Sequence, residues 1–341
     1  MKNEIVLVTG GAGYIGAVLV QELLAQGKKV RVFDKLYFGD APLASFKDKI
    51  DLVQGDVRAF PEKALEGVGA VVHLGSLSND PTADFDPQAN HAINFEGTMR
   101  VAEACKKKGV KRLSFASSCA IYGFHLEDIA DENFPPNPQS EYAQSKLDAE
   151  NGLKSLISND FCPVIFRQAT VFGFSPRHRW DLVVNTMTKD AFQKGIIQVY
   201  CAGDMWRPLV HVKDVALAHI NAIAAPENKV KGEIFNLVYE NHHILELGHM
   251  IKDILKTKRA VKVDVQTGTK ESRSYRVSGD KLKQKLGFTA ALSIEAAVNE
   301  IWGLLSSGRY TDFSNPIYYN IDWMKLLVDM EQKLKITGKV F

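Results

Sequence analysis

Tyr142 and Lys146 stand four residues apart in Tyr142-Ala143-Gln144-Ser145-Lys146. On a helix that spacing places a phenol and an amine on one face, a turn apart. A phenol at its ordinary pKa of ~10 is too weak an acid to act as a base at neutral pH. A neighbouring ammonium, together with the cation of an oxidised nicotinamide, favours the phenolate and lowers that value. Tyr142 is then able to accept a hydroxyl proton while a hydride leaves the same carbon. The spacing alone is common on solvated helix faces, so its weight comes from its company. Ser117-Ser118-Cys119-Ala120-Ile121-Tyr122-Gly123 lies about 24 residues earlier, after the strand-like run Lys111–Ser117. An open parallel sheet gathers ligands at the carboxyl ends of its strands, and a serine there can hydrogen-bond the reacting oxygen.

A hydride acceptor needs a seat, and the N-terminal segment offers one. Thr9-Gly10-Gly11-Ala12-Gly13-Tyr14-Ile15-Gly16 separates the apolar run Ile5–Val8 from a helical pattern carrying Ile15, Val18, Leu19, Leu23 and Leu24. Gly10, Gly13 and Gly16 form a GxxGxxG. The first permits the tight turn, the second lets the backbone approach a pyrophosphate, and the third lets helix and strand pack closely. Asp34 ends the next strand, Lys29–Phe33, 18 residues after Gly16. That is near the ~20 expected for the acid that takes the adenosine ribose hydroxyls. A carboxylate there repels the extra phosphate of NADP, so NAD is the expected cofactor. Arg31 and Lys35 are nearby cations that weigh against that choice, less well placed than Asp34.

These residues are positioned by alternating elements. Further strand candidates are Asp51–Gln54, Ala70–Leu74, Lys111–Ser117 and Cys162–Arg167, each preceded by helix-capable sequence. That alternation predicts a doubly wound, parallel α/β sheet of the Rossmann type. After Gly173 the pattern turns irregular, with a loop over Ser175–Trp180 and a helix over Trp180–Lys194. Glu233–Val238 reads as one more strand of the main sheet. The expected division is intertwined: residues 1–173 plus about 207–240 bind the dinucleotide. Residues about 174–206 plus 241–341 form a smaller mixed α/β substrate domain. Arg309–Phe341 is rich in aromatics and ends in an amphipathic helix around Trp323–Leu334, with packing on the body or a second subunit as its expected role.

Composition narrows the partners. The 341 residues are 45% hydrophobic and 24% charged, which excludes a disordered or fibrous chain. Lys+Arg 42 against Asp+Glu 40 leaves a net +2, so no global field recruits nucleic acid or an anionic membrane. No apolar run approaches the ~18 residues that span a bilayer, and the N-terminal run is too short for a signal peptide. Cys105, Cys119, Cys162 and Cys201 lie far apart and read as reduced thiols of a cytoplasmic protein. His73 and His211 read as structural hydrogen-bonding residues. The remaining histidines, His242-His243 included, lack partners at metal-site spacing, so no metal is expected. Lys106-Lys107-Lys108 reads as a helix C-terminus whose cations complement the dipole.

Taken together these motifs resemble the extended short-chain dehydrogenase/reductase family, specifically its NAD-dependent nucleotide-sugar epimerases and dehydratases. The resemblance runs from residue 1 to about 290 through TGGAGYIG (9–16), Asp34, Gly55-Asp56-Val57, His73-Leu74-Gly75, Asn94-Phe95-Glu96-Gly97-Thr98, SSCAIYG (117–123), YAQSK (142–146) and Arg207-Pro-Leu-Val-His-Val-Lys-Asp214. It implies that Ser118, Tyr142 and Lys146 are catalytic, with Lys146 also holding the nicotinamide ribose. It implies that Asp56 and Val57 flank the adenine, and that Leu74, Gly75, Ser76 and Asn94 line the cofactor. Tyr14, Ile15, Lys35 and Ser117 join Gly10, Gly13, Gly16 and Asp34 in the expected cofactor set, as do Tyr142 and Lys146.

For the substrate, the resemblance implies that Arg207 grips the pyrophosphate of the sugar nucleotide, a role that suits a guanidinium's paired donors. Ser118, Thr170 and Arg179 complete the expected contacts, Thr170 standing where many relatives carry asparagine. Arg273 or Arg276 would reach a second phosphate oxygen, a surface ion pair being the alternative for each. In the 4,6-dehydratases the two positions after the catalytic hydroxyl are Asp-Glu. Here they are Cys119 and Ala120, which disfavours dehydration and decarboxylation. Gly75 replaces a more usual alanine. Phe172–Asn185 resembles a branch that includes oxidoreductases acting at C4 of GDP-linked heptoses. The expected activity is 4-epimerisation through a transient 4-keto sugar, with a 4-dehydrogenase or 4-ketoreductase as the alternative and a non-catalytic NAD sensor as the outsider. The resemblance also implies a homodimer paired through helices near 89–108 and 140–158.

Overall fold

Strands such as Ile5-Val6-Leu7-Val8 have no polar face because both of their faces are covered. Val6 and Val8 point into a core shared with Val18, Leu19, Leu23, Val212, Ala216 and Ile220, while Leu7 points to the opposite face among Val71, Val101, Leu113 and Phe161. The computed structural model describes residues 4–267 and 274–338. Its main sheet has seven strands, numbered here within that sheet: β1 (Ile5–Thr9), β2 (Lys29–Asp34), β3 (Ile50–Gln54), β4 (Val68–His73), β5 (Arg112–Ser118), β6 (Cys162–Gln168) and β7 (Ile234–Leu237). Every neighbouring pair is parallel, in the order β3-β2-β1-β4-β5-β6-β7. The order reverses between β1 and β4, and the crevice beyond that switch point is where such a sheet binds ligands.

Each expected strand of this sheet is present within two residues of its predicted limits, and Glu233–Val238 does return as β7. The region 207–240 is split, however. Trp206–His211 lies between Thr170–Phe172, which it pairs in parallel, and Glu240–His243, antiparallel to it. This three-stranded sheet is separate from the seven-stranded one. The helix Val212–Ala224 then returns to pack on the first helix, Tyr14–Ala25, through Val212, Ala216, Ile220 and Ile223. Two short parallel pairs, Ile196–Val199 with Lys262–Val265 and Phe124–Ala130 with Ser274–Val277, are separate from both sheets.

The aromatic C-terminal run packs on the body. Tyr310, Phe313, Tyr318 and Tyr319 gather around buried Trp180. The final helix, Asn320–Thr337, is longer than expected, and its Trp323 indole N–H donates to the Tyr37 carbonyl at 2.6 Å. No helix among the described residues is long and apolar enough to cross a membrane.

Candidate active site

The helix Tyr14–Ala25 begins at Gly13, whose backbone is extended and which has no side chain to cap it, and its first turn carries no acid. The leading N–H groups are left for an anion. Glycine is required at two points of this loop. Gly10 has φ +70°, and a Cβ on it would come within 2.8 Å of the Gly75 amide; a Cβ on Gly16 would come within 2.1 Å of the Gly10 carbonyl.

Asp34, at the end of β2, accepts from the amides of Ala12 (2.9 Å) and Leu36 (2.7 Å). Burial raises its pKa, against the pull of those two bonds. One carboxylate thus shapes the loop and keeps further lone pairs for ribose hydroxyls. Arg31 is committed elsewhere, to Asp51 (2.5 Å) and the carbonyls of Ala64 and Glu66 (2.9 Å each). Lys35 stands 3.5 Å from Asp56, which Arg58 also holds at 2.6 Å. The Arg58 hydrogen bond is the main reason that the Asp56 carboxyl sits low, at about 2. A glycine cradle, bare helix N–H groups and an unopposed carboxylate at Asp34 fit NAD.

The helix Glu141–Ser155 starts because the Ser140 hydroxyl accepts from the Ala143 amide at 3.2 Å. Tyr142 and Lys146 then share a face, with the Lys146 nitrogen 5.8 Å from the centre of the Tyr142 ring. That nitrogen is buried and donates to the Ala116 carbonyl at 2.9 Å. Burial pushes the Lys146 ammonium down to about 7, and Glu150, one turn on, pulls the other way. Ser118 closes β5, its hydroxyl accepting from the Ala120 amide at 3.1 Å. Ser118, Tyr142 and Lys146 line one cavity of about 650 Å³ together with Gly10, Gly13, Tyr14, Ile15, Gly16, Asp34, Lys35, Asp56, Val57, Leu74, Gly75, Ser76 and Ser117. Cys119 and Ala120 do not line it. Both are buried, and the Cys119 thiol donates to the Arg167 carbonyl at 3.1 Å.

A polar network underlies this floor. Ser117 donates to Glu150 at 2.5 Å, and Glu150 pairs with Arg167 at 2.8 Å, both buried. Arg167 donates to the Tyr122 hydroxyl at 2.9 Å, which donates to Asn236 at 2.7 Å. His73 bridges Thr9 (2.6 Å) and Thr98 (3.0 Å), and burial pushes it down to about 3, so it is a neutral hydrogen-bonding residue. His211 caps the helix Val212–Ala224 by accepting from the Lys213 amide at 3.1 Å.

Asn94 is not among the residues that line the cavity. It is fully buried in a π-helical turn, Ala92–Glu96, and faces protein rather than the cavity. Its amide accepts from the Leu77 N–H (2.8 Å) and donates to the Leu77 carbonyl (3.0 Å), pinning the loop that follows β4. Asn94 thus ties down Leu77, which does line the cavity.

The opposite wall carries Thr170, Arg179 and Arg207. Arg179 is bound to Asp181 through two bonds of 2.8 and 3.0 Å, and Arg207 donates to the Trp206 carbonyl at 3.0 Å. Arg276 lies over the Trp206 ring at 5.0 Å, and Arg273 is outside the described residues. Three features of the cavity escaped the sequence. Arg177 lines it beside Arg179, and Asp181 fixes the latter; both sat in the stretch singled out at 172–185. Asn320, Ile321 and Met324 line it from the last helix, whose docking no local pattern signals.

A model of the NAD dependent epimerase/dehydratase family matches residues 6–237. A UDP-glucose 4-epimerase of Bacillus subtilis (strain 168) is 26% identical over 330 residues, spanning 89% of this chain and 97% of that protein. Among solved structures, UDP-glucose 4-epimerase of Thermus thermophilus in complex with NAD is 27% identical with a TM-score of 0.75, covering 88% of this chain and 99% of that one. DesIV from Streptomyces venezuelae, a dTDP-glucose 4,6-dehydratase, superposes with a TM-score of 0.79 at 23% identity over 92% of this chain and 99% of that one, a likeness of fold.

Proposed function

Since the chain belongs to the NAD-dependent epimerase/dehydratase family and is an NAD-dependent enzyme, we propose that it interconverts two nucleotide-activated sugars that are epimeric at C4. Tyr142 takes the proton of the C4 hydroxyl, and Ser118 hydrogen-bonds that oxygen and fixes its direction. Lys146, in its ammonium form, favours the phenolate and would hold the nicotinamide ribose. NAD, when bound, supplies a nicotinamide that takes the hydride from C4 and later returns it. Tyr142 hands its proton back once the 4-keto sugar has presented its other face. Arg207 holds the substrate's diphosphate, with Thr170 and Arg179 along the sugar. Pairing of two copies through 97–107 and 141–155 goes with this reading, and the mass of the protein in solution tests it.

The observation that carries the proposal is one cavity shared by the glycine loop, Asp34, Ser118, Tyr142 and Lys146. Dehydration draws no support from it, because Cys119 and Ala120 turn a thiol and a methyl into the core. The test is a mass-spectrometric and NMR screen of UDP-, GDP-, dTDP- and CDP-sugars, with UDP-glucose first because of the relatives. The expected result is a C4 epimer at catalytic enzyme levels with no net NADH. NADH rising with substrate would instead make the protein a 4-dehydrogenase. Tyr142→Phe should lower turnover by about 10²–10⁴-fold with NAD still bound. A variant with near-normal turnover would remove Tyr142 from the role of base.

A further inference from the structure

Arg177 is the one arginine of the cavity wall, among the described residues, with a buried donor lacking a partner. It is 5% exposed and its Nη2 donates to the Asn320 side-chain carbonyl at 2.6 Å, but its Nε has no hydrogen-bond partner. Among the described residues no carboxylate lies within ion-pair distance of it, and the nearby Asp181 is occupied by Arg179. Its guanidinium lies 3.7 Å from the centre of the Phe38 ring, in the loop that follows Asp34. Asn320 is held in turn: its side-chain amide donates to Ser78 at 3.0 Å, in the loop leaving β4, and its N–H donates to Asp181 at 3.1 Å. Trp323, one turn on, donates to the Tyr37 carbonyl and stacks on Phe38 at 6.5 Å. Arg177 is therefore suspended between the loops that leave β2 and β4. The helix Tyr14–Ala25 starts between those strands, and its uncapped N-terminus is where a dinucleotide's pyrophosphate sits. A buried cation with donors to spare is completed by an anion.

We propose that Arg177 clamps the diphosphate of NAD from the side opposite that helix N-terminus, and that the C-terminal helix, tied to Tyr37, Ser78 and Asp181, locks the clamp so that the cofactor is retained over many turnovers. The proposal rests on the reading of the protein as an epimerase, which returns its hydride to the sugar and has no need to exchange its cofactor. The Phe38 stack places Arg177 on the dinucleotide side, whereas Arg207 serves the sugar nucleotide.

The test uses the full-length protein as purified and no sugar at all. Bound NAD per protomer is measured after desalting, and its exchange with isotopically labelled NAD is followed by mass spectrometry. Wild type is expected to keep its NAD. Arg177→Met is expected to exchange roughly 10- to 100-fold faster, the loss of charge-assisted hydrogen bonds to phosphate. Trp323→Phe, which keeps an aromatic ring and loses the bond to Tyr37, should also exchange faster. A folded Arg177→Met protein exchanging at the wild-type rate would overturn the clamp. Wild-type rates in Trp323→Phe would overturn the part given to the last helix. Because no sugar is present, these outcomes stand whether or not epimerisation is found.

Discussion

Two of the buried arginines, one beneath the cavity floor and one on its wall, are treated in opposite ways. Arg167 lies on β6 under the catalytic floor, where Glu150 holds it through bonds of 2.8, 3.1 and 3.3 Å. Burial opposes its charge, yet the hydrogen bonds and charge of Glu150 prevail and its pKa is raised. Arg177 lies in an irregular loop over the cavity, with Asn320 as its polar anchor and its Nε unpartnered. Burial, and after it the charge of Arg179, pushes Arg177 down to about 9, so it remains a cation at neutral pH. Strand and helix place side chains at fixed registers, and at those registers a complete network has been assembled. The loop leaves a charge to be completed by what binds. Saturated polar groups mark a scaffold, and unsaturated ones on the same cavity mark a ligand.

The sharpest way to break this contrast is to remove the counter-ion from the saturated side. Glu150→Ala strips Arg167 of its partner and Ser117 of its acceptor, at a site with no solvent access. Breaking a buried ion pair costs about 3–5 kcal/mol, so urea denaturation should show a loss of that size. A loss below about 1 kcal/mol would mean that water or a rearranged partner replaces the carboxylate, and that the floor is no more rigid than the roof.

The next effect is one of pH and belongs to Lys146. Its folded pKa of about 7 lies below the ordinary 10.5, chiefly through burial. Between those two values the unfolded chain binds the proton that the folded one has released. Stability therefore rises with pH across that interval, and is lost as pH falls toward 7. Lys146→Met removes the group, so its denaturation curves should lack this rise while wild type keeps it. Parallel curves for the two proteins would show that the ammonium stays charged in the fold, held by Glu150.

How much of this was legible follows the same division. Central strands such as Ile5–Val8 read correctly because strands covered on both faces carry apolar runs; the glycines, Asp34 and Ser118 lie where strands end, and Tyr142 and Lys146 are read from helical spacing. Arg31 is less well placed than Asp34 in sequence. Alternation along β2 turned it to the far side, onto Asp51. The π turn that pairs Asn94 with Leu77 has no local pattern that announces it. Arg177 and Asn320 meet across 143 residues. Neither has a periodic or capping signature that announces the other, since the contact exists only once the last helix has docked.

The smallest effect is the most discriminating. In protein stripped of NAD, Arg177→Met loses one hydrogen bond to a neutral acceptor, worth about 1 kcal/mol, and a cation–π contact of about 0.5–2 kcal/mol. It gains relief from burying an unpaired charge, and methionine refills the space over Phe38 with apolar contacts. These oppose each other, so the melting temperature of the stripped variant should stay close to wild type, within about 1 kcal/mol of stability. With saturating NAD the two should separate, because a ligand's stabilisation grows with the logarithm of its concentration over Kd and the variant binds more weakly. A stripped variant that loses as much stability as Glu150→Ala would show that Arg177 is a structural charge like Arg167, and the contrast between floor and roof would be gone.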